Sequence, residues 1–149
     1  MSKLLTKIIS DSFTKQEVQV KLMELKIVAE NHFFGKKDWT DFEKELLEGV
    51  SRDNIEEVFQ EANRELEKID TLVLSIALEL PEEVVSQIGR KARSLFGEDL
   101  LLEFKVNPDL IGGTALVWQG KYKDYSLKSK FEQKKQEIKE IYQKFNDKY

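Results

Sequence analysis

The chain has 149 residues, 40% of them hydrophobic and 35% charged, with a formal charge of −4 and no cysteine. That balance supplies a core under a polar surface, gives no net attraction to phosphate backbones or anionic lipid, and removes disulfides, thiolate metal sites and cysteine nucleophiles together. No apolar run approaches the roughly 20 residues that span a bilayer and the N-terminus lacks a signal-peptide core, so the expectation is a chain of a reducing compartment without direct membrane insertion.

Residues 14–34 open on Thr14 and Glu17, spaced as a capping box, and continue with Val18, Leu22, Leu25, Val28 and Ala29 at helical spacing. Val20, Met23 and Ile27 widen the apolar face beyond one stripe, so this helix either meets more than one neighbour or offers a second face to a partner. After a break at Gly35-Lys36-Lys37-Asp38, Trp39, Phe42, Leu46 and Leu47 predict a short helix ending near Gly49. The next helix is expected from Ser51, with Ile55, Val58, Phe59, Ala62, Leu66 and Ile69 on one stripe. Residues 1–69 therefore read as a small helical unit.

The period changes at residue 71, where Leu72, Leu74, Ile76 and Leu78 alternate with Thr71, Val73, Ser75 and Ala77 as in a half-buried strand. Pro81, Glu82 and Glu83 start a helix that carries Val84, Val85, Ile88, Ala92, Leu95 and Phe96 and stops at Gly97. A second alternation sets Leu100, Leu102, Phe104 and Val106 against Leu101, Glu103 and Lys105, and Asn107-Pro108-Asp109 interrupts it with turn chemistry. A third strand covers Thr114–Trp118, and Gln119-Gly120-Lys121 turns it into a short continuation through Tyr122. Asp124 or Ser126 can cap a final helix whose stripe is Leu127, Phe131, Ile138, Ile141, Tyr142 and Phe145. Continuous to Asn146, that helix is about 30 Å long, more than a small sheet covers. The expected fold class is α+β: a helical region over residues 1–69, then a β-α-β-β-α domain with a long terminal helix over residues 70–149.

The segment Val106-Asn107-Pro108-Asp109-Leu110-Ile111-Gly112-Gly113, followed eleven residues beyond its last glycine by Asp124-Tyr125-Ser126, resembles the signature of the δ (oligomycin-sensitivity-conferring) subunits of F-type ATP synthases. The strands and helix that precede it also come in that family's order, so the resemblance covers roughly residues 70–132, the C-terminal domain of those subunits. Asn107 stands where the family often has an acid and Tyr125 where glycine is common, while Lys128 and Lys130 keep the usual basic character of the following segment. Residues 1–69 are shorter than the family's six-helix N-terminal domain. Read physically, adjacent glycines between strands allow positive φ or a close backbone contact, so Gly112 and Gly113 have a geometric role beside Asn107, Pro108, Asp109, Ile111, Asp124 and Ser126.

Little else suggests chemistry. Ile111-Gly112-Gly113-Thr114 lacks the lysine and spacing of a phosphate loop, and His32, the only histidine, has no carboxylates spaced around it to build a metal site. Asp124 and Ser126 with distant His32 contain the residue types of a hydrolase triad, without a nucleophile elbow or an oxyanion hole. No catalytic residue, metal or cofactor is expected.

The resemblance implies a non-catalytic stator subunit that joins the catalytic head to the peripheral stalk of a proton- or sodium-translocating ATP synthase, held peripherally at the cytoplasmic face of the cell membrane. It further implies that the helical region holds an N-terminal segment of an α subunit and that residues 70–149 engage the peripheral-stalk b subunit. The candidate contact residues are Val18, Leu22 and Leu25 for the first, and Phe131, Ile138, Ile141, Tyr142 and Phe145 for the second. Both stripes also suit ordinary cores. A small α+β enzyme and a nucleic-acid-binding domain stay open as other classes. The latter rests on the lysines of residues 121–139 interleaved with Tyr122, Tyr125 and Phe131, against which the acidic overall charge argues.

Overall fold

A computed structural model describes residues 2–35 and 38–146. Helix α1 (Lys3–Ser10) is capped by the Ser2 hydroxyl, which accepts the Leu5 amide, and it buries Leu4, Leu5, Ile8 and Ile9. Helix α2 (Lys15–Phe34) starts with the expected capping box: Thr14 Oγ1 accepts the Glu17 amide at 3.1 Å while the Glu17 carboxylate accepts the Thr14 amide at 3.2 Å. A second box, Thr40 with Glu43, opens α3 (Asp41–Leu46). Helix α4 runs Ile55–Glu67, four residues later than the expected start at Ser51. The Asn54 side chain explains the delay, because it accepts the Ser51 amide and donates to the Gly49 carbonyl, holding residues 49–54 as a turn.

By its contacts the chain forms two compact units, and their limits do not follow the sequence order. The first takes residues up to Thr71 together with Glu82–Glu103, and thus holds α5 (Glu82–Phe96) and the beginning of β2 (Leu101–Val106) with the helices. Its core joins Leu5 and Ile9 of α1, Val18 and Leu22 of α2, Phe59 and Leu66 of α4, and Leu101 of β2. Leu101 corrects the alternation expected for β2: Leu101 and Leu102 are both buried, because the strand begins inside the helical core, and Val106 at the other end is exposed.

Arg93 of α5 fastens this unit. Its guanidinium donates to the carbonyls of Ile9 at 2.9 Å, Leu100 at 3.1 Å and, at short range, Ser12, and it lies 5.0 Å above the Phe13 ring. Phe13 in turn occupies the space over Gly89, where an added Cβ would stand 2.4 Å from the ring, and the Phe13 carbonyl accepts the Leu102 amide at 2.9 Å. Glycine is required at 89 for this approach, not for its backbone angles.

The second unit takes Leu72–Pro81 and the chain from Phe104 onward. Strand β1 (Thr71–Ile76) buries Leu72, Leu74 and Ile76, whereas Leu78, expected to continue the alternation, lies beyond the strand and is exposed. The four-stranded sheet has the order β2-β1-β3-β4, with β1 antiparallel to β3 (Thr114–Trp118) in the register Val73 to Val117, and β3 antiparallel to β4 (Lys121–Asp124) in the register Trp118 to Lys121. The continuation expected through Tyr122 is thus a full fourth strand, joined through Gln119 and Gly120, both at positive φ as in a two-residue hairpin turn. A 3-10 helix, Pro108–Leu110, links β2 to β3, and α6 (Leu127–Asn146) ends the described chain. The fold is α+β.

Candidate functional site

The two halves of the signature meet in the second unit. Asn107 donates its amide to the Ile76 carbonyl at 2.7 Å and accepts the Asp109 amide on its side chain at 3.1 Å, which starts the 3-10 turn at Pro108. Leu110 is buried beneath that turn, and Ile111, at φ 64°, turns the chain outward with its side chain exposed. Gly113 has φ 77°, and a Cβ there would lie 2.5 Å from the Tyr125 carbonyl oxygen. Gly112 differs from expectation: it has no positive φ, and a Cβ would meet only the Leu127 side chain, at 3.0 Å. Its carbonyl instead accepts the Leu127 amide at 2.9 Å.

Asp124 and Ser126 finish the joint. Asp124 Oδ1 accepts the Ser126 amide at 2.8 Å, its Oδ2 accepts the Tyr122 hydroxyl at 3.1 Å, and fully buried Ser126 accepts the Ser129 amide on Oγ at 3.1 Å. Ser126 is therefore the N-cap of α6 and Asp124 holds the cap in place. Hydrogen bonds from Ser126, side chain first and then backbone, keep the Asp124 carboxyl below its ordinary value, with Tyr122 and Lys128 adding to the effect. Desolvation first, then Asp124, raises the Tyr122 hydroxyl. The Asp124 carboxyl is therefore ionised near pH 7, the form that accepts both bonds at the helix end. Beside them Asn107, Asp109, Tyr122, Lys128, Ser129 and Glu132 line an open polar hollow of about 360 Å³. Among the described residues no group of three or more His, Asp or Glu side chains is placed to hold a metal ion.

What the joint positions is α6. From Lys130 to Phe145 every residue is exposed, among them Phe131 at 63%, Ile138 at 65%, Ile141 at 61%, Tyr142 at 70% and Phe145 at 68%. The stripe read from the sequence is thus not spent on a core.

The helical unit divides its candidates differently. Val18 and Leu22 lie in the core with at most 1% exposure and offer no surface, whereas Leu25 faces a groove of about 360 Å³. Ile8, Val28, Phe42 and Leu46 give this groove its apolar wall, and Lys7, Lys21, Glu24 and Glu43 line it with charge. The surplus apolar face of α2 consists of Val20, Met23 and Ile27, all exposed, continued by Phe34 under the guanidinium of Arg52. Sequence patterning singled out neither Phe42 as a groove residue nor Arg93 and Gly89 as fasteners. The signal for Gly89 was a glycine inside a strongly periodic helix.

A family model described as ATP synthase delta (OSCP) subunit matches residues 49–138, from the turn before α4 to the middle of α6. No curated protein matches the chain significantly.

Proposed function

Because this chain belongs to the ATP synthase delta (OSCP) subunit family, and so is a peripheral-stalk subunit and not itself a catalyst, we propose that it ties the catalytic head to the membrane-anchored stalk through two separate surfaces. The observation that carries this reading is α6, a 20-residue helix that leaves a row of large apolar side chains in water. Helices in proteins owe most of their stability to a packed face, and from Lys130 to Phe145 no face of α6 is covered, which supports a partner helix as its normal neighbour. In this reading that partner is the b subunit.

The groove at Leu25 and Phe42 supports the other contact. An amphipathic helix docks by inserting a few side chains into such an apolar depression, and the N-terminal segment of an α subunit is the occupant proposed. The division of labour follows the sequence regions 1–69 and 70–149. No helix among the described residues is long and apolar enough to cross a membrane, so attachment at the cytoplasmic face would run through partners. The test is a pull-down of the tagged full chain from mildly solubilised membranes. Recovery of head and stalk subunits together is expected, and recovery of neither would overturn the proposal.

A further inference from the structure

The exposed residues of α6 fall into a heptad. With Phe131 placed at position a, the a and d positions are Leu127, Phe131, Lys134, Ile138, Ile141 and Phe145. This is the spacing of a two-stranded coiled-coil seam, interrupted by one cation. The e and g positions that border the seam are Lys128, Lys130, Lys135 and Lys144, with Glu137 and Tyr142 as the two that carry no positive charge. The border is therefore strongly basic in a chain whose formal charge is −4.

Resting on the stator reading, we infer that α6 pairs with a single partner helix whose own seam is flanked by Asp and Glu and presents an acid opposite Lys134. Border charges choose coiled-coil partners because e and g side chains of the two helices meet beside the seam. A second copy of this chain is the wrong partner. It would set lysine borders against each other and, in a parallel pair, two Lys134 ammonium groups in one apolar layer, where unpaired charge is costly. An acidic helix neutralises the border, and its carboxylate opposite Lys134 fixes the register.

The experiment uses the full chain and two synthetic amphipathic helices about four heptads long, identical at a and d, one with Glu and the other with Lys at e and g. Expected is binding of the Glu peptide at least about tenfold tighter than the Lys peptide, weakening as salt is raised, lost in Ile138→Asp, and reversed in preference by the combined Lys130→Glu, Lys135→Glu and Lys144→Glu variant. These positions are exposed, so the variants keep the fold, which circular dichroism verifies. Equal binding of both peptides, self-association of the chain in preference to either, or displacement of the Glu peptide by a single-stranded oligonucleotide whose own binding survives Ile138→Asp would each overturn the inference. The same charge-reversed chain in the membrane pull-down separates this inference from its premise. Stalk subunits recovered with undiminished yield contradict the charge selectivity and leave the stator role standing, whereas peptide selectivity without any ATP synthase subunit in the pull-down contradicts the stator role alone.

Discussion

The Leu127 amide, the first of α6, donates to the Gly112 carbonyl at 2.9 Å. Through this bond the glycine pair after β2 and the Asp-x-Ser element after β4 become one joint, and its product is the orientation of an otherwise exposed helix. Ser126 caps the helix from the same side, so backbone and side chain both satisfy donors that the first turn leaves open.

The two glycines of that joint are not equivalent. Gly113→Val places a β-branched residue at φ 77° with its Cβ against the Tyr125 carbonyl, and a loss of about 3 kcal/mol is expected. Gly112→Val meets only the end of the Leu127 side chain, which can rotate, and about 1 kcal/mol is expected. Urea unfolding of both variants checks the order; equal losses would show that positive φ does not set the cost.

Arg93→Met keeps most of the side-chain bulk but removes the guanidinium donor from the Ser12 and Leu100 carbonyls, while the Ile9 carbonyl keeps the Ser12 amide at 3.1 Å. Stability should fall by about 1–3 kcal/mol, the range for leaving buried acceptors unsatisfied. Hydrogen exchange should report the same loss in α1. A variant as stable as the parent would mean that water replaces the guanidinium at no cost.

Acid should loosen the α6 cap. The folded Asp124 carboxyl lies below its ordinary value of 3.8, so its contribution is complete above that value and is lost as pH falls through the lower folded value. Glu45, Glu48, Glu56 and Glu65 are depressed from 4.5 for the same kind of reason, bonded chiefly to Lys7, Lys3, Lys26 and the Ser2 amide respectively, and they add to the same acid limb. Asp124→Asn should remove the part of the limb that NMR detects at the Ser126 and Ser129 amides. An unchanged titration at those amides would exclude Asp124 as its source.

Ile138→Asp separates a binding face from a core. At 65% exposure the side chain has little burial to lose, so stability should stay within about 0.5 kcal/mol of the parent while capture of the stalk subunit drops. A large loss of stability would show that the isolated chain buries this face.

Much of the fold was legible because its signals are local. Thr14 and Glu17 announce a capping box by spacing alone, and Leu72, Leu74 and Ile76 announce a strand by alternation. What was not legible depends on partners distant in sequence. Leu101 reads as the outward residue of β2 until the helical core takes it in, and Arg93 reads as one more charge on α5 until the carbonyls of Ile9 and Ser12 turn toward it. In the same way Val18 and Leu22 share one periodic pattern with Leu25, and only packing decides that the first two are core and the third faces the groove. The signature residues were readable as geometry, yet Gly112 and Gly113 could be distinguished only once Tyr125 and Leu127 stood against them.

The most direct test of the two-surface account is cross-link mapping by mass spectrometry on the purified ATP synthase containing this chain. Lysines Lys130, Lys135, Lys139 and Lys144 of α6 should link to a stalk helix, and Lys7 and Lys21 beside the groove to a subunit of the catalytic head. Links from α6 confined to this chain itself, or from both lysine sets to the same partner, would contradict it.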